Sequence, residues 1–211
     1  MFKIMALIIL LRSQQGVGEV VDLNPDSFTH ITFDGIPTTK YHLDNKALVA
    51  HVKNSSSVLL KAFDKKKSLK SISFKWKSQG ILKTESASQE QTKSGDDAIL
   101  RVGLILSGKA PMVPFFAPAW IKKSRDALKL PSNKMIYLTV GSKNKPGSQW
   151  ESPYSSSIIS IALPSTEEEK FYRASHKFPK SIDIVGLWIF ADGDNTKSSF
   201  NSTLWDLKFL P

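Results

Sequence analysis

The chain has 211 residues, 41% of them hydrophobic, and a formal net charge of +10 from 29 Lys and Arg against 19 Asp and Glu. That is the size of one ordinary domain with enough apolar material for a core, which excludes wholesale disorder. The chain holds no cysteine, which excludes disulfides, thiol catalysis and Cys-based zinc sites, and its lysines are spread as on a solvated surface, without the Arg, Gly and aromatic clustering of specific nucleic-acid binding.

The N-terminus reads MFKIMALIILLRSQQGVGEV, with Lys3 ahead of an apolar run from Ile4 to Leu11 and small residues at Gly16 and Gly18. The preferred reading is an export signal over residues 1–18, which places the mature protein in the periplasm or outside the cell. A buried first strand is the other reading. Residues 19–211 then form a single domain, and no later run is long enough to span a bilayer.

From there the pattern is mostly period two, the signal of half-buried strands. THITF is the first candidate, followed by KALVAHVK and SSVLLKAF. In SISFKWKS, Ile72, Phe74 and Trp76 share one face while Ser73, Lys75 and Lys77 share the other,. Lys83–Asp97 is polar and reads as a mobile loop. AILRVGLIL, from Ala98 to Leu106, suits a central strand. A Pro-rich insertion with Pro111, Pro114 and Pro118 comes next. It leads into a short helix between Ala119 and Leu130, with Trp120, Ile121, Ala127 and Leu128 on one side.

MIYLTVGS, SSIISIAL, IDIVGLWIF and TLWDLKFL complete the strands. In the last, Thr203, Trp205, Leu207 and Phe209 fall on one face, and Trp76, Trp188 and Trp205 all read as core. Many short strands between turn-forming clusters, with no βαβ alternation, predict an all-β antiparallel sandwich with a short helical or irregular insertion.

The chemistry-bearing residues are few. His30, His42, His51 and His176 form no metal-ligand spacing, and no nucleophile elbow or phosphate loop is present,. Two acidic turns stand out: Asp96 and Asp97 before the central strand, and Asp192, Asp194 and Asn195 near the end. Asp192, Asp194 and Asn195 carry the hard oxygen ligands that Ca²⁺ accepts, although a segment such as DGDNT is more often a plain turn. Asp97 and Asp194 could meet if their strands are neighbours. Arg101, on a strongly apolar strand, needs a carboxylate or a ligand if buried, and Asp192 or Asp194 is the better-placed partner. Trp150 and Tyr154 lie in GSQWESPYSSS, read as a loop where an aromatic ring can stay exposed and stack on a sugar,.

The order SISFKWK, KSGDDAILRVGLIL, MIYLTVGS, SPY and IVGLWIFADGDNTKSSFNSTLWDLKFL resembles the bacterial family named domain of unknown function 3047. The resemblance covers Phe28 to Leu210. It rests on Trp76, Gly95, Asp96, Asp97, Arg101, Tyr154, Asp192, Asp194, Asn195 and Thr196. It implies a jelly-roll-like β-sandwich in exported proteins and carries no catalytic residues with it. The expectation is therefore an exported, non-catalytic module for a glycan or other cell-envelope ligand, recognised through Trp150, Tyr154 and Arg101, with Ca²⁺ as a candidate ion. A hydrolase using Asp97, Asp194 and Arg101 is one alternative. A structural protein that meets its partner through the basic Pro-rich insertion is the other.

Overall fold

The computed structural model describes residues 18–109, 117–168 and 170–211. The expected export signal, apart from Gly18, and residues 110–116 of the Pro-rich insertion lie outside the described residues. No helix among the described residues is long and apolar enough to cross a membrane.

Among the described residues, twelve strands form one continuous sheet. In chain order they are β1 (Glu19–Val20), β2 (Thr29–Thr32), β3 (Lys40–Asp44), β4 (Ala47–Lys53), β5 (Ser57–Ile81) and β6 (Ala98–Ser107). After helix α1 (Ala119–Ala127) come β7 (Ser132–Val140), β8 (Gln149–Ser152), β9 (Ser155–Ala162), β10 (Ser165–Glu168), β11 (Phe171–Asp192) and β12 (Ser199–Leu210). The main path runs β3-β4-β12-β5-β11-β6-β7-β9-β8, with β1 on β12, β2 on β5 and β10 on β11. The all-β expectation holds, as does the short helix. Pairing is antiparallel except between β7 and β9, because β8 turns back on β9 at the sheet edge and so returns β9 in the direction of β7,.

The Tyr41 hydroxyl of β3 accepts from the Ala191 backbone N–H of β11 at 3.4 Å, although four strand positions separate the two strands. In a flat sheet that separation is roughly 19 Å. The sheet therefore curls until its two halves face each other as a sandwich. The two longest strands make the curl. β5 pairs its first part, Val58–Ala62, with the end of β11, and its last part, Ser71–Trp76, with the start of β11. Between these parts β11 changes register twice, between Lys177 and Ile182 and between Ile184 and Gly186, and such bulges bend a strand. SSVLLKAF and SISFKWKS, which read as two strands, are thus the ends of one, joined through the polar DKKKSLK segment at the bend.

The half built from β6, β7 and the end of β11 is covered on both faces. Leu187 and Ile189 point into the sandwich core. Trp188 and Phe190 point to the outer face, where Trp120, Ala127 and Leu128 of the α1 region cover them. Helix α1 uses its apolar side for this packing, as its periodicity requires.

β12 departs from the expected alternation. A register shift between Trp205 and Lys208, with Asp206 at φ 53°, inserts one extra residue and reverses the parity. Leu204, Leu207 and Phe209 are the buried set. Trp205, expected in the core, is only half-buried and meets Phe171 edge-on at 5.4 Å. The expected loop over Lys83–Asp97 holds a 3-10 turn at Gln89–Gln91. It is anchored by buried Glu90, which accepts from the backbone N–H of Lys143 at 2.6 Å and from the Asn144 amide at 2.7 Å.

A candidate ligand-binding cleft

β6 lies beside β11 with Phe190 opposite Arg101 and Trp188 opposite Gly103, and Gly103 is also opposite Tyr137 of β7. On the outer face this sets an arginine among three aromatic rings. Gly103 keeps the floor between the rings low: a Cβ there would lie 2.9 Å from Trp188 Cβ and 3.1 Å from the Tyr137 ring.

Arg101 is 1% exposed. Its Nη2 donates to Asp96 Oδ1 at 2.6 Å and its Nη1 to the Asp96 carbonyl at 3.2 Å. The guanidinium sits 5.5 Å from the Tyr137 ring centroid and 5.7 Å from that of Phe190. The expected partner, Asp192 or Asp194, is therefore corrected to Asp96. Asp96 precedes the first residue of β6, so its side chain is not bound by the strand's alternation and can fold back over the face that Arg101 occupies. Burial opposes the Arg101 charge, but Asp96 and then Asp192 outweigh it and hold the guanidinium above its ordinary pKa,. Burial likewise pushes the Asp96 carboxyl up, against the pull of Arg101.

The two acidic turns meet at one end of this face, as their strand-end positions suggested. Asp97 Oδ1 accepts from the Asn195 backbone N–H at 3.2 Å and its amide at 3.1 Å. Asp97 Oδ2 accepts from the Thr196 backbone N–H at 2.7 Å and its hydroxyl at 2.6 Å. Asp97, Asp192 and Asp194 each bring a carboxylate oxygen within 4.8 Å of the others. Asn195, predicted with the aspartates as a ligand, donates its side-chain Nδ2–H to Asp97.

A cation would take its oxygens from Asp97, Asp192 and Asp194, but the four bonds to Asp97 occupy both lone pairs of each of its oxygens. Coordination by six to eight oxygens, as Ca²⁺ takes, would require some of those bonds to be given up. Burial pushes the Asp192 carboxyl well above the ordinary carboxylate range, and a shared proton with Asp194 and the Asp97 charge push in the same direction.

Above Arg101 the outer face opens into a cleft of about 380 Å³. Its walls include Phe33, Trp120, Tyr137, Tyr154, Trp188 and Phe190, and Asp192, Asp194 and Asn195 close one end. Phe33 and Trp120 meet edge-on at 5.6 Å. Tyr154, a residue singled out in the sequence, is 56% exposed at the rim, with its hydroxyl donating to the Lys93 carbonyl at 3.4 Å.

Trp150 is placed differently. It lies in β8 rather than in a loop, 7% exposed, and is not among the residues lining the cleft. The register sets Trp150 opposite Ser160 of β9, and Ser160 opposite Tyr137, so Trp150 shares the outer sheet face with Tyr137 but is buried beside the cleft rather than in its wall. The other wall residues were missed. Their signal was present in IVGLWIF, whose apolar residues occupy both parities and so mark a strand covered on both sides.

The chain matches, over residues 26–208, the model of a family described as protein of unknown function (DUF3047). It belongs to that family. No curated protein and no solved structure matches the chain. The cleft and the Asp97 bonds to the DNT turn both lie inside the span shared with the DUF3047 family, and the GDD and DxDNT segments that carried the resemblance are the two acidic turns meeting at the end of the cleft.

Proposed function

We propose that this DUF3047 protein is an exported, non-catalytic module that binds a glycan of the cell envelope in the outer-face cleft. The observation that carries the reading is the composition of the cleft: six aromatic residues, with Asp192, Asp194 and Asn195 at one end. Aromatic faces stack on the apolar faces of sugar rings, while carboxyl groups at the end of the cleft bond the hydroxyls. The volume falls within the roughly 300–1,000 Å³ usual for small-molecule sites. Binding on a rigid sheet face rather than on loops supports recognition without large rearrangement.

A glycan array with the full chain and with Tyr154→Ala tests the reading. Tyr154 is exposed, so its removal leaves the fold intact, and we expect the signal from bound glycans to fall several-fold. Failure of the wild-type chain to bind any glycan overturns the proposal.

One observation favours a second reading, a hydrolase: Asp192 and Asp194 hold adjacent carboxyl oxygens at the end of the cleft. Asp192 would be the acid and Asp194 the base, replacing the Asp97 and Asp194 pair, since Asp97 is committed to the turn. Turnover of a bound glycan by the wild type, lost in Asp194→Asn, would establish it.

A further inference from the structure

The charged residues lining the cleft are Asp34, Asp96, Asp192 and Asp194 against a single cation, Arg101. Asp96 neutralises Arg101, and burial pushes the Asp192 carboxyl well above the ordinary range, towards its neutral form. Asp34 and Asp194 remain. Among the described residues neither forms an ion pair with a Lys or Arg. Asp34 is exposed and Asp194 only half-buried, so neither carboxylate is sealed from solvent. On a chain of net charge +10, the cleft is a local acidic site.

The negative field extends to the mouth of the cleft, where Tyr154 stands. Burial first, and then Asp96, Asp194, Asp192 and Asp97, push the Tyr154 hydroxyl above its ordinary pKa,. They do so although the Lys93 ammonium lies 5.6 Å from the centroid of its ring. The aromatic walls act in the same sense, because a ring face carries the negative part of its quadrupole. The chain itself already places cations on these rings: Arg101 beside Tyr137 and Phe190, and Lys93 at Tyr154. Carboxylates and ring faces together favour a cationic ligand over a neutral one, and a neutral one over an anion.

Resting on the glycan reading above, we propose that the cleft is selective for an amino sugar with a free, protonated amine. The ammonium group pairs with Asp194 at the acidic end, Asp34 adds to the attraction, and the sugar ring stacks on the aromatic wall. N-acetylation removes the charge and a uronic acid reverses it, so both derivatives lose what the ammonium gains.

The test is calorimetric titration of the full chain, at low salt and below the pKa of the amine, with methyl glycosides of glucosamine, N-acetylglucosamine, glucose and glucuronic acid, and with the galacto-configured set. Choline is titrated alongside as a cation without a sugar ring. We expect an amine-bearing sugar to bind at least about tenfold more tightly than its plain and N-acetylated counterparts, with the uronic acid weakest. Asp194→Asn keeps the shape and removes the charge, so the ratio of amine to plain-hexose affinity should fall about fivefold. Asp34→Asn, on an exposed turn, should lower it about twofold. Should Asp194→Asn fail to fold, Asp34→Asn decides together with the wild type at raised salt, where screening should shrink the same ratio. Equal affinities, or a preference for the N-acetylated or the acidic sugar, overturn the selectivity and leave the glycan reading standing. A ratio that neither salt nor the folded variants change overturns the pairing with the carboxylates. Choline binding more tightly than every sugar overturns the amino sugar as the source of the charge, and binding of no sugar overturns both readings.

Discussion

Asp97 Oδ2 accepts both the backbone N–H and the hydroxyl of Thr196, at 2.7 and 2.6 Å, from a position 99 residues earlier in the chain. With the two bonds from Asn195 to Oδ1, one carboxylate fastens the turn that links β11 to β12 onto the start of β6. Asp97→Ala removes four acceptor interactions and leaves their donors half-buried, so it should cost about 3 kcal/mol of unfolding free energy. Urea denaturation measures it. A loss below about 1 kcal/mol would show that solvent satisfies the turn equally well.

Arg101 and Asp96 form the other buried pair at this end. Arg101→Met leaves the Asp96 carboxyl buried without its partner and should destabilise by about 3–5 kcal/mol. The double variant Arg101→Met/Asp96→Leu should recover most of that loss, because two apolar side chains need no partner. A double variant as unstable as the single one would mean that the pair is not coupled.

Asp192 makes stability depend on pH in an uncommon direction for a carboxyl. Its folded pKa is raised, by burial first and then by its acidic neighbours. Above the unfolded pKa of about 3.9 the folded state therefore holds a proton that the unfolded state has lost. Its contribution is present at low pH and declines as pH rises through the folded value. Asp192→Asn mimics the neutral form, so its melting temperature at pH 7 should rise by roughly 2–4 °C. The gain should vanish near pH 4, and an equal gain at both pH values would argue against this titration.

The saturated oxygens of Asp97 bear on calcium. Adding excess Ca²⁺, or stripping it with chelator, should leave the melting temperature unchanged. A rise with Ca²⁺ that Asp194→Asn abolishes would mean that the turn surrenders its bonds to a metal.

How much of this was legible in the sequence depends on which face a residue occupies. Ile72, Phe74 and Trp76 were readable because SISFKWKS has one wet face, and all three are buried. Trp205 was misplaced because a single bulged residue, Asp206, reverses the alternation, and no composition signal announces a bulge at Asp. Trp150 looked like a loop residue because Pro153 and several serines surround it, yet β8 needs only four residues to pair with β9. Proximity of the two acidic turns was legible from their places at strand ends. The Asp96–Arg101 pair was not, since it depends on the chain doubling back before β6 begins. The cleft itself was hidden: its walls come from β2's flank, α1, β7 and β11, and only topology assembles them.

The long strands β5 and β11 have a consequence for unfolding. Because each runs through both halves of the sandwich, neither half can open as a separate foldon without tearing a strand that the other half also holds. Amide hydrogens of Leu59 and of Phe74, on either side of the bend in β5, should therefore exchange at similar, near-global free energies. Most pairing is between residues distant in sequence, as Asn201 with His51 and Trp188 with Leu60 show, so this single cooperative unit should also be slow to form, on the time scale of milliseconds to seconds.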